Sequence, residues 1–198
     1  MKTSPMTIRR FFLRVLAPLT RLIGKLHSPY SHKRITGDDC FAIEDMLKPG
    51  MAFITKTNGE LSNIANPGFW KHGAIYYGDG TVIEAVGNGV VETNLITFLT
   101  RKDYVAVLQP TFADESEMRA AAEQALQWVG SPYDMMFELD DKAFYCYEVI
   151  YRAYKTVMDR LSKPMPFVID NEFNVPTIIG DDFYKAKEKW QCLWDNSK

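Results

Sequence analysis

Residues 70–85 read Trp70-Lys71-His72-Gly73-Ala74-Ile75-Tyr76-Tyr77-Gly78-Asp79-Gly80-Thr81-Val82-Ile83-Glu84-Ala85. The segments on either side of the central Gly-Asp-Gly are rich in β-branched and aromatic residues, which favour strands. The glycines between them tolerate the positive φ angles of a tight turn. The stretch therefore predicts a β-hairpin with a polar residue, His72 or Glu84, toward each end.

The length of the turn decides whether His72 and Glu84 meet. Each lies six residues from Gly78, so a reversal centred on Gly78 would place them directly opposite each other. A three-residue loop centred on Asp79 would make them diagonal neighbours on one face of the sheet, about 7 Å apart. A two-residue loop of Asp79 and Gly80 would shift the pairing by one residue and send the two side chains to opposite faces.

An imidazole next to a carboxylate is a common arrangement for a general base. The carboxylate accepts one ring N–H, fixes the tautomer and stabilises the imidazolium that forms when the other nitrogen takes a proton. The hairpin therefore predicts His72 as a base with Glu84 as its partner. The nucleophile has to come from another part of the chain.

Composition indicates one globular domain of ordinary polarity. The chain has 198 residues, of which 46% are hydrophobic and 24% charged, and its net charge of −2 gives no electrostatic basis for nucleic-acid binding. The three cysteines, Cys40, Cys146 and Cys192, cannot all pair, and none lies in a C-x-x-C motif. We therefore expect free thiols in a reducing, cytoplasmic compartment. The sequence contains no run of about 18 uncharged apolar residues, so it predicts no membrane-spanning helix.

Residues 7–26 form a separate pattern, with apolar residues at helical spacing and five basic side chains on the remaining surface. The pattern predicts a basic amphipathic helix that is kinked or restarted at Pro18. It either lies against an anionic membrane surface or a partner, or covers the core of its own domain. We assign residues 1–39 to this helical segment and a polar linker, and residues 40–198 to a single domain.

The remaining patterns predict helices and strands in the mixed order of an α+β fold. Residues 114–129 form the clearest helix, with acidic residues near its start and a glycine after its end. A second helix is expected to begin near Asp140 or Asp141 and to run toward Leu161. The other expected elements are a helix or strand over 40–47, strands over 51–55, 90–95 and 104–108, a short helix over 96–101 and another from 181 to about 189.

Cys146 falls in the early turns of the second helix. The positive end of a helix stabilises a thiolate, and a nearby imidazolium stabilises it further, as an acyl-transferring cysteine requires at neutral pH. The alternative is a buried, unreactive cysteine, because free cysteines are among the most buried residues. Sequence spacing alone does not bring Cys146 and His72 together.

Several segments, in their order along the chain, resemble the permuted papain-fold hydrolases of the NlpC/P60 superfamily, and most of all the bacterial and phage YiiX-like and YebB-like proteins. The resemblance covers the chain from about Leu47 to Trp190. The segments that carry it are Lys48-Pro49-Gly50-Met51, His72-Gly73-Ala74-Ile75-Tyr76-Tyr77-Gly78-Asp79-Gly80, Ile83-Glu84-Ala85, Gly89-Val90, Gly130-Ser131-Pro132-Tyr133-Asp134, Phe144-Tyr145-Cys146-Tyr147-Glu148 and 176–184.

The resemblance implies a permuted papain-like α+β fold, with an antiparallel sheet packed against helices. It also implies Cys146 as nucleophile, His72 as base and Glu84 as the orienting third residue. Lecithin:retinol acyltransferase-like relatives often carry histidine in the third place, so Glu84 favours the YiiX-like branch. The backbone N–H of Cys146 is the expected oxyanion donor.

Four aromatic residues are expected to line the substrate cleft: Trp70, Tyr133, Tyr145 and Tyr147. Packing in the core is the alternative, because aromatic residues near strand ends are often buried. Tyr147 departs from the family pattern, which commonly has serine after the cysteine, and either narrows the acyl pocket or packs.

Three functions remain open on these residues. The leading one is a cysteine amidase or peptidase that forms a thioester acyl-enzyme and acts on cell-wall peptides or amide-linked lipids. The second is a lipid acyltransferase or thioesterase of the lecithin:retinol acyltransferase type, with residues 7–26 on a membrane. The third is a non-catalytic binding module. We expect a small-molecule, peptide or lipid acyl substrate, no cofactor and no metal, since His27, His32, Asp38 and Asp39 match no standard ligand spacing. A bacterial or phage origin is expected.

Overall fold

The structure, a computed structural model, describes residues 35–59, 68–134, 143–166 and 178–197. The predicted amphipathic helix over 7–26 lies outside these residues. The elements in chain order are α1 (Gly37–Met46), β1 (Ala52–Lys56), β2 (His72–Gly78), β3 (Thr81–Val86), β4 (Gly89–Asn94), α2 (Leu95–Leu99), β5 (Tyr104–Pro110), α3 (Glu115–Leu126), α4 (Cys146–Arg160), α5 (Gly180–Lys185) and β6 (Trp190–Asp195).

The six strands form one sheet in the order β4-β3-β2-β1-β5-β6, and every neighbouring pair is antiparallel. Helices α3 and α4 pack side by side and against β2. The predicted α+β fold, an antiparallel sheet packed against helices, is therefore confirmed. The edge strand β6 was not predicted, because the expected C-terminal helix extended to about Lys189 and nothing after it was assigned.

The β2–β3 hairpin combines two features that sequence reasoning had treated as exclusive. Its loop consists of two residues, Asp79 and Gly80, with φ angles of 48° and 68°. Tyr77 is an extra residue in β2, because the register shifts between Tyr76 and Gly78. The bulge cancels the shift caused by the short loop. The expectation that a two-residue loop would send His72 and Glu84 to opposite faces is therefore wrong.

Residues along β2 alternate between the two faces of the sheet, and this alternation places the helices. Gly73 faces α4 so closely that a Cβ on Gly73 would lie 2.5 Å from Cδ1 of Tyr147. The ring centroid of His72, the preceding residue, lies 6.3 Å from that of Phe98 in α2. A glycine at position 73 therefore allows α4 to pack directly behind the strand that carries His72.

The start of α4 differs from the prediction. Ala143, Phe144 and Tyr145 are not helical, and Phe144 forms an isolated parallel bridge with Tyr133. The bridge holds the Phe144 N–H on the carbonyl of Pro132 at 3.0 Å. The predicted start, Asp140 or Asp141, lies outside the described residues. A single helix cannot run from there to Leu161, because the backbone at 144 is already paired with residues 132–134. Cys146 is the first residue of α4 rather than a residue of its early turns.

Helix α1 begins earlier than the predicted domain boundary. Thr36 caps it: its Oγ1 accepts a hydrogen bond from the Asp39 N–H at 3.2 Å, and the Asp39 carboxylate accepts one from the Thr36 N–H at 2.8 Å. Residues 37–39, assigned to the linker from sequence, are therefore helical. Within the part of the chain described, no helix is both long and apolar enough to cross a membrane.

Candidate active site

His72 and Glu84 form the ion pair that the hairpin predicted. Nε2 of His72 lies 2.7 Å from Oε2 of Glu84, and the two residues are diagonal neighbours because Ala74 pairs with Glu84. The Glu84 side chain is only 3% exposed and that of His72 is 18% exposed. Burial strengthens such a pair, since little water screens the two charges.

Thr93 completes the surroundings of the carboxylate. Its Oγ1 donates a hydrogen bond to Oε1 of Glu84 at 2.7 Å from the adjacent strand β4. Each oxygen of Glu84 therefore has a partner. Sequence analysis did not identify Thr93. Its only signal was its position in the strand expected over 90–95, and this position becomes informative once the register with β3 is known.

Cys146 joins the pair from the start of α4. The thiol lies next to the imidazole, since the side chain of Cys146 is one of the groups that raise the pKa of His72. Since Nε2 of His72 faces Glu84, Nδ1 is the ring nitrogen left for the thiol. Cys146 is 4% exposed. The structure thus brings together the three residues that are far apart in the sequence, as the resemblance implied, while their catalytic roles remain predictions.

The pKa values of the pair shift in opposite directions. Burial raises the pKa of Glu84, but the hydrogen bond and charge of His72, the charge of Lys102 and the hydrogen bond of Thr93 outweigh it, and the pKa falls to about 2. Burial and Lys102 lower the pKa of His72, but hydrogen bonds to Cys146 and Glu84 outweigh them and raise it. Both shifts favour an imidazolium next to a carboxylate.

The first turn of α4 presents backbone N–H groups beside the thiol. The N–H of Cys146 has no intrahelical acceptor, because it belongs to the first residue of the helix. Glu148 fixes the preceding residue, since its Oε2 accepts a hydrogen bond from the Tyr145 N–H at 3.4 Å. Burial raises the pKa of Glu148 to about 8, although Nε of Arg152 donates to Oε1 at 2.6 Å. Glu148 is therefore part of the helix cap.

Three of the four residues predicted to line the cleft are buried, namely Trp70, Tyr145 and Tyr147. The Tyr145 hydroxyl accepts a hydrogen bond from the Ile178 N–H at 2.9 Å. The Tyr147 ring lies between the backbone of β2 and that of Gly180. Core packing, the alternative considered from sequence, describes the positions of these side chains here, and their substrate-binding role remains a prediction.

Tyr133 is the fourth predicted cleft residue and is only partly buried. Its bridge to Phe144 places it next to the segment that enters α4. Burial and the proximity of Cys146 raise the pKa of Tyr133 well above its usual range. The phenol therefore keeps its proton at neutral pH and is a hydrogen-bond donor.

Asp181 anchors the segment that leads into β2 and was missed by sequence analysis. Its Oδ1 accepts hydrogen bonds from the N–H groups of Phe69 at 2.8 Å and Trp70 at 3.1 Å. Because the anchored residues directly precede Lys71 and His72, this carboxylate fixes the point at which the base enters the sheet. The two partners are more than a hundred residues apart, which explains why no local pattern revealed them.

Among the residues described, no group of three or more His, Cys, Asp and Glu side chains is arranged to hold a metal ion. In the site itself, the nitrogen and oxygen donors bind one another: Glu84 bonds to His72 and to Thr93. We therefore assign no step to a metal.

Comparison with known proteins identifies the family. A search of curated proteins found no match. The crystal structure of metalloprotein yiiX from Escherichia coli O157:H7 has a similar fold, with a TM-score of 0.59 and 15% sequence identity over 75% of this chain and 97% of that chain. Residues 46–174, more than half of the chain, match the family described as permuted papain-like amidase enzyme, YaeF/YiiX, C92 family. The resemblance to YiiX-like proteins is confirmed, and the chain belongs to the permuted papain-like amidases of the C92 family.

Proposed function

We propose that this protein is a cysteine-dependent amide hydrolase in which Cys146 is the nucleophile, His72 the base and Glu84 the residue that orients the base. Membership of a permuted papain-like amidase family supports a hydrolase-type activity. The observation that carries the assignment of residues is that His72 lies 2.7 Å from Glu84 through Nε2 and also interacts with the side chain of Cys146, which raises its pKa.

The first half of the reaction forms an acyl-enzyme. Nδ1 of His72 takes the thiol proton, and the sulfur of Cys146 attacks the carbonyl carbon of the amide. The imidazolium, stabilised by Glu84, then gives the proton to the leaving nitrogen as the C–N bond breaks. The products are a free amine and a thioester on Cys146.

The second half restores the enzyme. Water loses a proton to His72 as its oxygen attacks the thioester carbonyl, and the C–S bond breaks. The acyl group leaves as a carboxylic acid, and the sulfur recovers its proton from His72. Over the whole cycle, one amide and one water molecule give one amine and one carboxylic acid.

The oxyanion that forms in each half requires hydrogen-bond donors. The backbone N–H of Cys146 is one, because the start of α4 leaves it without a helical acceptor. We propose the phenol of Tyr133 as a second donor, because burial and the charge of Cys146 keep it protonated. Loss of one such donor costs about 3 kcal/mol of transition-state stabilisation.

We further propose that the acyl substrate is a peptide of the cell-wall type or an amide-linked lipid. The amidase family favours an amide over an ester as the bond cleaved. The acyltransferase alternative depended on residues 7–26, which lie outside the described residues, so no contact of the described part of the chain favours it.

The test is hydrolysis of a panel of muropeptides, N-acylated lipids and acyl thioesters by the full chain and by Cys146→Ser. We expect the wild type to cleave at least one amide, and Cys146→Ser to lose that activity while keeping its circular dichroism spectrum. Mass spectrometry should detect an acyl group on Cys146 during turnover. Cys192→Ser is the matched control, because Cys192 lies exposed on β6 and should not affect the rate. Equal activity of wild type and Cys146→Ser would refute the proposal.

A further inference from the structure

The carboxylate of Glu84 is held from two sides, and only one of these contacts belongs to the three residues assigned above. Oε2 bonds to His72 and Oε1 accepts the hydrogen bond of Thr93, each at 2.7 Å. We propose that Thr93 is a fourth functional residue, a positioning residue that sets the orientation and charge of Glu84 and through it the basicity of His72. This inference rests on the proposed function.

The sheet register makes this contact a structural consequence of strand pairing. Thr93 and Glu84 are diagonal neighbours on β4 and β3, because Thr93 pairs with Val82. Glu84 and His72 are diagonal neighbours on β3 and β2, because Glu84 pairs with Ala74. The three side chains therefore cross three adjacent strands on one face of the sheet, each within reach of the next.

Glu84 needs such a partner more than a shorter or exposed acid would. A glutamate side chain has three rotatable bonds, so a single hydrogen bond to His72 leaves the plane of the carboxylate undetermined. The side chain is almost fully buried, so water cannot readily replace a lost partner at Oε1. The hydroxyl of Thr93 fixes the plane and satisfies the second oxygen.

The same hydrogen bond favours the ionised form of Glu84. A donor to a carboxylate stabilises its charge, and Thr93 is one of the groups that lower the pKa of Glu84. An ionised and correctly oriented Glu84 stabilises the imidazolium of His72, which in turn stabilises the thiolate of Cys146. Loss of the hydroxyl should therefore be detectable at the sulfur, three side chains away.

The experiment compares Thr93→Val, which keeps the branched shape and removes the donor, with Thr93→Ser, which keeps the donor and removes a methyl group. The probe is alkylation by iodoacetamide between pH 5 and 9, quantified at Cys146 by mass spectrometry of its peptide, so no substrate is needed. Two controls are included. Thr81→Val makes the same change at a residue of β3 that is not part of the Thr93–Glu84–His72 contacts, and His72→Ala removes the base.

We expect Thr93→Val to reduce the alkylation rate at pH 6 about tenfold and to shift the acid limb of the profile to higher pH, in line with the loss of a hydrogen bond to a charged group. Thr93→Ser and Thr81→Val should stay within about threefold of wild type. A Thr93→Val rate equal to wild type, or an equal loss in Thr93→Ser, would overturn the positioning role while leaving the proposed function intact. A wild-type rate no higher than that of free cysteine, or one unchanged in His72→Ala, would instead contradict the proposed function.

Discussion

Replacing Glu84 by glutamine should lower the stability of the protein by an amount that depends on pH in a defined way. The substitution keeps the size of the side chain and removes its charge next to His72. In the wild type, the pKa of Glu84 is about 2, whereas an ordinary glutamate has a pKa near 4.5. The folded state therefore stabilises the ionised carboxylate, and Glu84→Gln should remove that stabilisation.

The magnitude follows from this pKa difference. A carboxyl whose pKa falls from 4.5 to about 2 on folding contributes about 3 kcal/mol to the free energy of unfolding above pH 5. The contribution is lost as pH falls toward 2, because the folded protein then also binds the proton. His72 has the opposite sign: its folded pKa is raised, so its contribution is complete below pH 6.5 and is lost as pH rises through the raised value.

Urea unfolding of wild type and Glu84→Gln between pH 3 and 8 measures the difference in their free energies of unfolding. Urea is uncharged and therefore does not screen the ion pair. We expect the wild type to be more stable by about 2–3 kcal/mol between pH 5 and 6.5, and by roughly 1 kcal/mol at pH 3. Glu92→Gln is the matched control, an exposed glutamate on the neighbouring strand β4, and should change stability by less than about 0.5 kcal/mol at every pH. A difference between wild type and Glu84→Gln that does not vary with pH would refute the reasoning, since it would reflect packing rather than charge.

Two further substitutions test how the strand that carries the base is held. Gly73→Ala should lower the free energy of unfolding in urea by about 2 kcal/mol, because its Cβ would lie 2.5 Å from the Tyr147 ring. Most of this loss should disappear in a Tyr147→Ser background. An unchanged loss in that background would contradict the packing. Asp181→Ala should lower the free energy of unfolding by about 2 kcal/mol, because the N–H groups of Phe69 and Trp70 lose their acceptor. Asp181→Asn keeps a carbonyl oxygen and should retain most of the stability. Equal losses in Ala and Asn would refute the second prediction.

Local patterns were sufficient where the relevant residues are close in sequence. The hairpin, its two polar residues and the helix over 114–129 each follow from a short window, and the structure has β2, β3 and α3 at these positions. The register of the hairpin did not follow, because the same Gly-Asp-Gly is compatible with loops of two or three residues. With the observed two-residue loop, the bulge at Tyr77 is what puts His72 and Glu84 on the same face of the sheet, and a bulge has no strong signal in sequence.

Long-range pairing explains the remaining differences. The backbone of Phe144 pairs with residues 132–134, which delays the start of α4 until Cys146 and overrides a pattern compatible with an earlier start. The contacts of Thr93 with Glu84 and of Asp181 with Phe69 depend on how strands and helices are arranged in space. The meeting of Cys146 with His72 was expected only from the family resemblance, since no spacing rule joins residues so far apart.

The bulge and the short loop of this hairpin also limit how the protein can be engineered. The bulge at Tyr77 and the short turn together set the parity of the segment between base and acid. A loop graft that changes this segment by one residue would invert Glu84 unless the bulge were lost or gained in the same step, whereas a graft that changes it by two would keep the acid on its side. Loop libraries built on this scaffold should therefore vary hairpin length in pairs of residues.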